Sequence, residues 1–136
     1  MTRVFFDVNV ILDVLANRLP FAEDSGKALG LAETRLVEGI VAAHTMTTLH
    51  YLLERDLGTA RTRKVLGDLL RVVGVASVDD ARIRHALALG WRDFEDALQS
   101  VCAEQENCDY LVTRDKVGFK KATTHVVTPG ELLALL

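Results

Sequence analysis

Five short apolar runs, spread along the whole chain, constrain the fold more than any other feature of the sequence. Each run has four or five residues and is almost continuous in hydrophobicity: RVFF (3–6), GIVAA (39–43), GVASV (74–78), DYLVT (109–113) and HVVT (125–128). Parallel strands covered on both faces have this character, whereas strands with one face in water alternate apolar and polar residues. The runs therefore predict a central parallel sheet of about five strands.

The segments between the runs have helical period and recognisable ends. Gly58 follows LHYLLERDL, and Thr59 is placed to cap ARTRKVLGDLLRVV. Gly90 follows DARIRHALAL, and Pro129 opens the last helix, GELLALL. The predicted order is β, α, α, β, α, α, β, α, α, β, short α, β, α. This alternation predicts an α/β fold, a three-layer α/β/α sandwich.

Length and hydropathy bound the organisation of the chain. With 136 residues, 49% of them hydrophobic, the chain can bury one core but is too short for two ordinary domains. We therefore predict a single domain over residues 1–136. No apolar run approaches the roughly 18 residues of a membrane span, and the N-terminus lacks the features of a secretory signal. These observations predict a cytoplasmic protein with no membrane partner.

Cysteine usage and net charge exclude some classes of site. Cys102 and Cys108 belong to no CxxC or Cys/His pattern, so we predict two buried free thiols rather than a zinc site or a disulfide. The net charge of -3 carries no overall nucleic-acid-binding signature. A local basic patch beside an acidic pocket is still compatible with that charge.

Acidic residues stand where the predicted strands end. Asp7 directly follows the first run, Asp115 closely follows the fourth, and Asp93, Glu95 and Asp96 open the helix before that fourth run. Ligands of an open parallel sheet collect beyond the carboxyl ends of its strands. Carboxylates brought together there repel one another unless a cation compensates, and oxygen ligands suit Mg²⁺ or Mn²⁺. The pattern indicates phosphoryl transfer or phosphodiester hydrolysis.

Each of these acids also has a structural explanation. Asp93 is placed to cap a helix whose dipole would favour the negative charge of Asp96 in its first turn. Asp7 could cap the helix VNVILDVL, and Asp115 could form the turn TRDKVGF. Glu95 is expected on another helix face, as a solvated acid. Residue types alone leave the structural and the functional interpretations open.

Three longer stretches resemble a known family. FFDVNVILDVLANRLPFAEDS, DFEDALQSVCAEQENCDYLVTRDKVGF and VVTPGELL, in this order, are similar to PIN-domain proteins, a family that includes the VapC-type toxins of bacterial toxin-antitoxin pairs. The likeness covers essentially the whole chain. It implies a small α/β/α endoribonuclease that uses Mg²⁺ or Mn²⁺ to hydrolyse RNA, forms a homodimer and binds a small antitoxin protein.

The resemblance also assigns roles to individual residues. It implies that the catalytic and metal-binding acids are Asp7, Asp96 and Asp115. It implies accessory roles for Asn9 close to the first acid, for Asp93 one helical turn before the second, and for Thr113 in the turn TRDKVGF, called the late turn below. Basic residues beside this acidic turn are candidates to contact the RNA backbone, although a solvated charged face is the alternative. They are Arg114, Lys116, Lys120 and Lys121, with Arg61, Arg63 and Lys64 as a second group.

Two positions depart from the pattern of the family. Thr48 stands where a Glu is usual, and Glu54, six residues later, is at a poor helical spacing to replace it. Gly118 stands where relatives often carry an acid. The first departure keeps open a non-catalytic PIN-like module that binds RNA or protein. A third interpretation, an aspartate-based phosphotransferase or receiver-like switch, is an analogy at the level of the fold.

Overall fold

The computed structural model describes residues 1–136 and contains five strands and seven α-helices. In chain order, the elements are β1 (Arg3–Phe6), α1 (Val8–Leu15), α2 (Ala22–Glu33), β2 (Glu38–Ala42), α3 (Ala43–Leu57), α4 (Thr59–Leu69), β3 (Val73–Ala76), α5 (Asp80–Ala88), α6 (Phe94–Gln105), β4 (Tyr110–Val112), a 3₁₀ turn (Val117–Phe119), β5 (His125–Val127) and α7 (Pro129–Leu135). All five predicted runs form strands, displaced by no more than two residues at either end, and the predicted order of elements is confirmed.

The strands form one parallel sheet in the order β3-β2-β1-β4-β5. Strand β1 is central, with Phe5 opposite Ile40 of β2 and Leu111 of β4. The chain builds outwards from β1 to β3 on one side and from β4 to β5 on the other. The order therefore reverses between β1 and β4, and crevices for ligands form at such a point, beyond the carboxyl ends of the strands.

Both faces of the sheet are covered, as the continuous apolar runs predict. Side chains along a strand point alternately to opposite faces. In β1, Val4 and Phe6 join a buried cluster that includes side chains of α1, α2, α3, α4 and α7. Phe5 joins a separate cluster that includes Cys102 and Ala103 of α6. The predicted three-layer α/β/α arrangement is confirmed.

Most of the predicted helix ends are confirmed. Gly90 follows α5 with a φ of +67°, and Pro129 is the first residue of α7, where Thr128 and Glu131 form a reciprocal capping box.

Cys102 and Cys108 are free thiols; Cys102 is buried as predicted, but Cys108 is only partly buried. None of the helices combines the length with the apolar character that a bilayer crossing requires.

The start and end of α4 differ from the prediction. The cap of α4 is Gly58 at a φ of +77°, and Thr59 lies inside the helix, where its hydroxyl donates to Glu54 at 2.9 Å. A single glycine thus ends α3 and begins α4, because it alone tolerates that backbone conformation without strain. The helix also ends at Leu69, before the end of the predicted segment ARTRKVLGDLLRVV. The last residue of that segment, Val73, belongs to β3.

Gly39 of β2 gives a test of this packing. A β-carbon there would lie 2.9 Å from Cβ of Ala32, 3.1 Å from the Phe6 ring and 3.2 Å from the Val73 side chain. We expect Gly39→Ala to lower the free energy of unfolding by about 1–3 kcal/mol, because the buried strand has no room to move away. Urea denaturation measures the change.

Gly74→Ala on the neighbouring strand is the matched control. The nearest atom to a β-carbon at Gly74 would be 3.9 Å away, an ordinary contact distance. The control should change stability by less than about 0.5 kcal/mol. Equal effects of the two substitutions would contradict the packing described here.

Candidate metal centre

Asp7 lies at the point where the strand order reverses and is buried, with 2% of its surface exposed. Its main-chain N–H donates to the Val112 carbonyl of β4 at 3.0 Å. One carboxylate oxygen accepts from Nε2 of Gln99 at 2.9 Å, and the other accepts from Oγ1 of Thr113 at 2.8 Å. Although Asp7 occupies the position before α1, its side chain makes no capping bond to that helix. The carboxylate instead links β1 to the turn after β4 and to α6.

Burial raises the pKa of Asp7, and the hydrogen bonds from Gln99 and Thr113 lower it only in part. These two donors are themselves fixed by the main chain. Oε1 of Gln99 accepts from the Val8 N–H at 3.0 Å, and Oγ1 of Thr113 accepts from the Asp115 N–H at 3.0 Å. The Asp7 carboxylate is therefore held in one orientation.

Gln99 is a site residue that the sequence did not bring to attention. It is completely buried and follows Asp96 by three residues, so one helical turn separates them on α6. The signal in the sequence was a long polar side chain at that spacing within an otherwise mostly small or apolar stretch, ALQSVCA. Such a residue needs a buried partner to satisfy its amide.

Asp93 and Asp96 lie at the start of α6. Asp93 can cap this helix and at the same time contribute its charge to the acidic site. Its Oδ1 accepts from the Asp96 N–H at 3.0 Å, so Asp93 caps the helix while its charge lies beside Asp96. The pKa of Asp96 is raised to about 7, first by burial and then by repulsion from Asp93, Asp7, Asp115 and Glu95. Asp96 thus lies among the other carboxylates, and their negative charges all act on it.

Asp115 faces Asp96 across Gly118. A β-carbon at Gly118 would lie 2.9 Å from Oδ2 of Asp115 and 3.0 Å from Oδ2 of Asp96. The Gly118 N–H also donates to the other oxygen of Asp115 at 3.3 Å. Two carboxylate oxygens therefore border one small space, which a side chain at position 118 would fill. The departure from the family pattern at Gly118 leaves this space open.

The donors around this space fit a hydrated hard cation. No three acidic, histidine or cysteine side chains come close enough to form a closed metal cage. Mg²⁺ does not require one, because it commonly binds through one or two carboxylates and keeps waters in its other positions. Asp96 and Asp115 offer two such oxygens, and Asp7 is nearby with both oxygens already accepting hydrogen bonds.

Glu95 does not lie on a solvated face, as the sequence analysis expected. It is partly buried, and its Oε2 accepts from Oγ1 of Thr48 at 3.3 Å. Burial raises the pKa of Glu95, the Thr48 bond lowers it, and the charges of Asp93 and Asp7 raise it further. The expectation was wrong because Thr48 of α3 lies within reach of the first turn of α6, a contact that helical spacing cannot reveal. The Glu95 carboxylate of α6 therefore lies beside Thr48, the α3 position at which the family usually has a Glu.

Asn9 and two of the predicted RNA-binding residues are bonded elsewhere. Asn9 is exposed and accepts from Arg18 at 3.3 Å. Arg114 donates to the completely buried Asp13 at 2.9 Å, and its guanidinium lies 4.0 Å above the Phe21 ring. Lys116 pairs with Glu131 at 3.0 Å.

Lys120 and Lys121 lie beside the acids. They line a cleft of about 880 Å³ together with Asp93, Asp96 and Asp115. The second predicted group, which consists of Arg61, Arg63 and Lys64, is exposed on α4 and does not line this cleft. The structure thus brings two of the seven basic candidates to the acidic residues.

Comparison with known families and proteins identifies relatives of this sequence. The PIN domain family profile matches residues 3–117. The chain is 27% identical over 137 residues to ribonuclease VapC1 of Aquifex aeolicus, a match that covers 95% of this chain and 92% of that protein.

Solved structures share the fold at lower identity. VapBC-1 from nontypeable Haemophilus influenzae matches with a TM-score of 0.72 and 15% identity, over 95% of this chain and 99% of the other. VapC20 of Mycobacterium tuberculosis, described as a sarcin-ricin loop cleaving toxin, matches with a TM-score of 0.70 and 14% identity, over 87% and 94%. VapBC2 from Rickettsia felis, bound to a DNA fragment from its promoter, matches with a TM-score of 0.69 and 14% identity, over 93% and 98%.

The raised pKa of Asp96 predicts how stability depends on pH. As pH rises from about 4 to about 7, the unfolded chain loses the Asp96 proton first and the folded chain retains it, so ionisation favours unfolding. We expect the melting temperature in EDTA to fall over this range. Asp96→Asn should reduce that fall, matching wild type near pH 4 and exceeding it above pH 7.

Glu104→Gln, an exposed change on the same helix, is the control and should follow the wild-type profile. Circular dichroism melts at several pH values supply the measurement. Parallel curves for wild type and Asp96→Asn would show that folding does not raise the pKa of Asp96.

Proposed function

The chain belongs to the PIN domain family, and from this membership we propose that it is a metal-dependent endoribonuclease that hydrolyses RNA phosphodiester bonds in the cytoplasm as the toxin of a toxin-antitoxin pair. One observation carries the proposal. Three separate parts of the chain bring Asp7, Asp96 and Asp115 to the reversal point of the sheet, beside an open cleft. The relative named ribonuclease VapC1 supports it.

Mg²⁺ or Mn²⁺ would be held by Asp96 and Asp115 around the space at Gly118, with Asp7 close enough for its charge to act on Asp96. When bound, such an ion supplies an activated water and neutralises charge that develops on the phosphate. Asp7 is kept in place by Gln99 and Thr113, so its carboxylate acts on Asp96 from a fixed position. Lys120 and Lys121 attract the RNA backbone towards the acids, which alone would repel it.

Glu95 completes this account at the position where Thr48 departs from the family pattern. The Thr48 hydroxyl holds the Glu95 carboxylate at 3.3 Å, and that charge acts on Asp96. We propose that Glu95, supplied by α6, replaces the acid that α3 usually supplies. The site then keeps an acidic side chain at this place, although α6 supplies it instead of α3.

Two alternatives make different predictions. A non-catalytic PIN-like module that binds RNA or protein is favoured by Thr48, which cannot coordinate a cation as a carboxylate does. It would show no metal-dependent turnover. A receiver-like switch phosphorylated at Asp7 is disfavoured, because both carboxylate oxygens of this buried residue already accept hydrogen bonds.

We further propose a homodimer that binds a small antitoxin protein. Similar solved structures are described as toxin-antitoxin assemblies, among them a complex from Klebsiella pneumoniae at a TM-score of 0.70 and 20% identity. Co-purification with the protein encoded next to its gene would test the proposal.

The central test is cleavage of a total tRNA pool and of a structured RNA by the purified protein. Cleavage should require Mn²⁺ or Mg²⁺ and stop in EDTA. Asp7→Asn and Asp96→Asn should each lose on the order of 10²-fold or more in rate, because each removes charge that the metal centre needs. Gel electrophoresis of the products measures the rate.

Asp68→Asn provides the matched control for these variants. Asp68 is an exposed residue of α4 that pairs with Lys64, so this change should leave the rate unaltered. An unchanged rate for Asp7→Asn would refute the proposed site. Absence of turnover with every metal and RNA, by a folded protein that binds RNA, would favour the non-catalytic module.

The role of Glu95 is tested by moving its charge back to α3. Glu95→Gln should weaken Mn²⁺ binding about tenfold, the usual cost of losing a supporting group around a metal. Adding Thr48→Glu to that variant should restore much of the affinity, because the two side chains occupy adjoining positions. Isothermal titration with Mn²⁺ measures both effects.

Glu104→Gln again serves as the control on the same helix. If Glu95→Gln binds Mn²⁺ as wild type does while Asp96→Asn does not, Glu95 is not part of the metal centre. That result would leave the other acids in their proposed roles.

A further inference from the structure

Two residues of the late turn have no main-chain bonding to hold them. The Thr113 N–H still pairs with the Val127 carbonyl of β5 at 2.9 Å. Arg114 and Asp115, which follow, form no hydrogen bond to another main-chain group, and both are exposed. A segment of this kind opens easily unless side chains hold it in place. Side-chain contacts therefore decide where the Asp115 carboxylate lies.

Arg114 makes one of these contacts with a buried acid. Its Nε donates to Oδ2 of Asp13 at 2.9 Å, and Asp13, a residue of α1, is completely buried. The guanidinium also lies 4.0 Å from the centre of the Phe21 ring, directly before α2. Charge-assisted hydrogen bonds are about twice as strong as neutral ones. Arg114 is thus tied to the helix that begins directly after Asp7.

Two adjacent side chains of the late turn are bonded near opposite ends of α1. Thr113 donates to Asp7, the residue before the helix, at 2.8 Å. Arg114 donates to Asp13, which lies in the last turn of the helix. Attachment at two separated points fixes the direction of the chain as well as its position. Asp115 follows directly, so the direction of its carboxylate depends on both bonds.

The remaining ion pair of the late turn lies at the surface. Nζ of Lys116 is 3.0 Å from Oε1 of Glu131, and the two side chains are 48% and 49% exposed. Exposed pairs stabilise little, because water screens the charges and ordering two long side chains costs entropy. The bond from Arg114 to the buried Asp13 is therefore the stronger anchor.

We propose that Arg114 is a positioning residue of the metal centre. Through its bond to Asp13 it holds the late turn, so that the Asp115 carboxylate borders the space beside Gly118. The proposal rests on the proposed metal-dependent function and adds a residue that acts on the centre without touching the ion. It differs from the RNA contact that the sequence suggested, since Asp115 lines the acidic cleft and Arg114 does not.

Arg18 provides a matched control within the same cluster. Its Nε lies 3.1 Å from the other oxygen of Asp13, although the two atoms are not aligned for a hydrogen bond. Both guanidinium groups therefore neutralise one buried carboxylate. Arg18, however, belongs to the loop after α1, and only Arg114 belongs to the segment that carries Asp115. Loss of either cation should lower stability, but only loss of Arg114 should disturb the metal centre.

Isothermal titration of Arg114→Met and Arg18→Met with Mn²⁺ tests the proposal without RNA. Both variants should melt below wild type, because each leaves the buried Asp13 with one cation. We expect Arg114→Met to bind Mn²⁺ about tenfold more weakly, the usual effect of losing a group that orients a ligand. Arg18→Met should bind Mn²⁺ as wild type does. Arg114→Lys keeps a cation on the turn and should recover much of the lost affinity.

Amide hydrogen exchange, followed by NMR in EDTA, measures the turn itself with no metal present. The Asp115 N–H donates to Oγ1 of Thr113, and the Gly118 N–H donates to Oδ1 of Asp115. Both amides therefore report whether the turn keeps its shape. They should exchange faster in Arg114→Met and at the wild-type rate in Arg18→Met, at a temperature well below the lowest melting temperature.

Asp13→Asn tests whether Arg114 acts through Asp13. The change removes the charge that the guanidinium contacts, so it should weaken Mn²⁺ binding to a similar extent. Combined with Arg114→Met it should cause little further loss, because both changes remove one contact. Additive losses would show that Arg114 acts on the metal centre by another route, which would overturn the proposal.

RNA cleavage in Mn²⁺ is measured separately, so that the two proposals fail in different ways. Arg114→Met should lower kcat and leave KM nearly unchanged, whereas loss of a phosphate contact would raise KM. A raised KM with wild-type Mn²⁺ affinity, or equal Mn²⁺ affinities in Arg114→Met and Arg18→Met, would overturn the positioning role even if RNA is cut. Weaker Mn²⁺ binding in Arg114→Met alone, by a protein that cuts no RNA, would support the positioning role and contradict the ribonuclease function.

Discussion

The buried carboxylate of Asp7 is the constraint on which the rest of the site depends. A carboxylate with 2% exposure is costly unless its oxygens are satisfied, and here each oxygen accepts one side-chain hydrogen bond. The donors come from α6 and from the turn after β4. These two bonds fix the segments that carry Asp96, one turn before Gln99, and Asp115, two residues after Thr113. A single buried charge thus sets the geometry of the other two acids.

The same arrangement concentrates negative charge that the protein does not neutralise by itself. Burial and then the charges of four neighbouring carboxylates raise the pKa of Asp96, and no cationic side chain is paired with Asp96 or Asp115. By contrast, Asp13, which is also buried, pairs with Arg18 at 3.1 Å and with Arg114 at 2.9 Å. Two guanidinium groups neutralise Asp13, whereas Asp96 and Asp115 have no cationic partner. These two acids therefore form a site suited to an external cation. This contrast supports a metal-dependent function beyond the family resemblance.

Much of the architecture could be predicted from the sequence because it depends on local patterns. Continuous apolar runs determine which segments are strands, and the carboxyl ends of β1 and β4 determine where Asp7 and Asp115 lie. Gln99, the bond between Thr48 and Glu95, and the ion pair of Arg114 with Asp13 could not be predicted in this way. Each joins side chains far apart in the sequence, so only the packing of α6 and of the late turn reveals them. The cap of α4 shows the same limit locally, because the shared Gly58 replaces the expected Thr59.

The central claim is that Asp96 and Asp115 hold a divalent cation in the space beside Gly118. The most direct measurement is the position of Mn²⁺ from its anomalous scattering in crystals of the protein. The account predicts one strong peak between these two carboxylates, with Asp7 nearby, and no peak there in crystals of Asp96→Asn. A peak bound elsewhere, or none at saturating Mn²⁺, would contradict it.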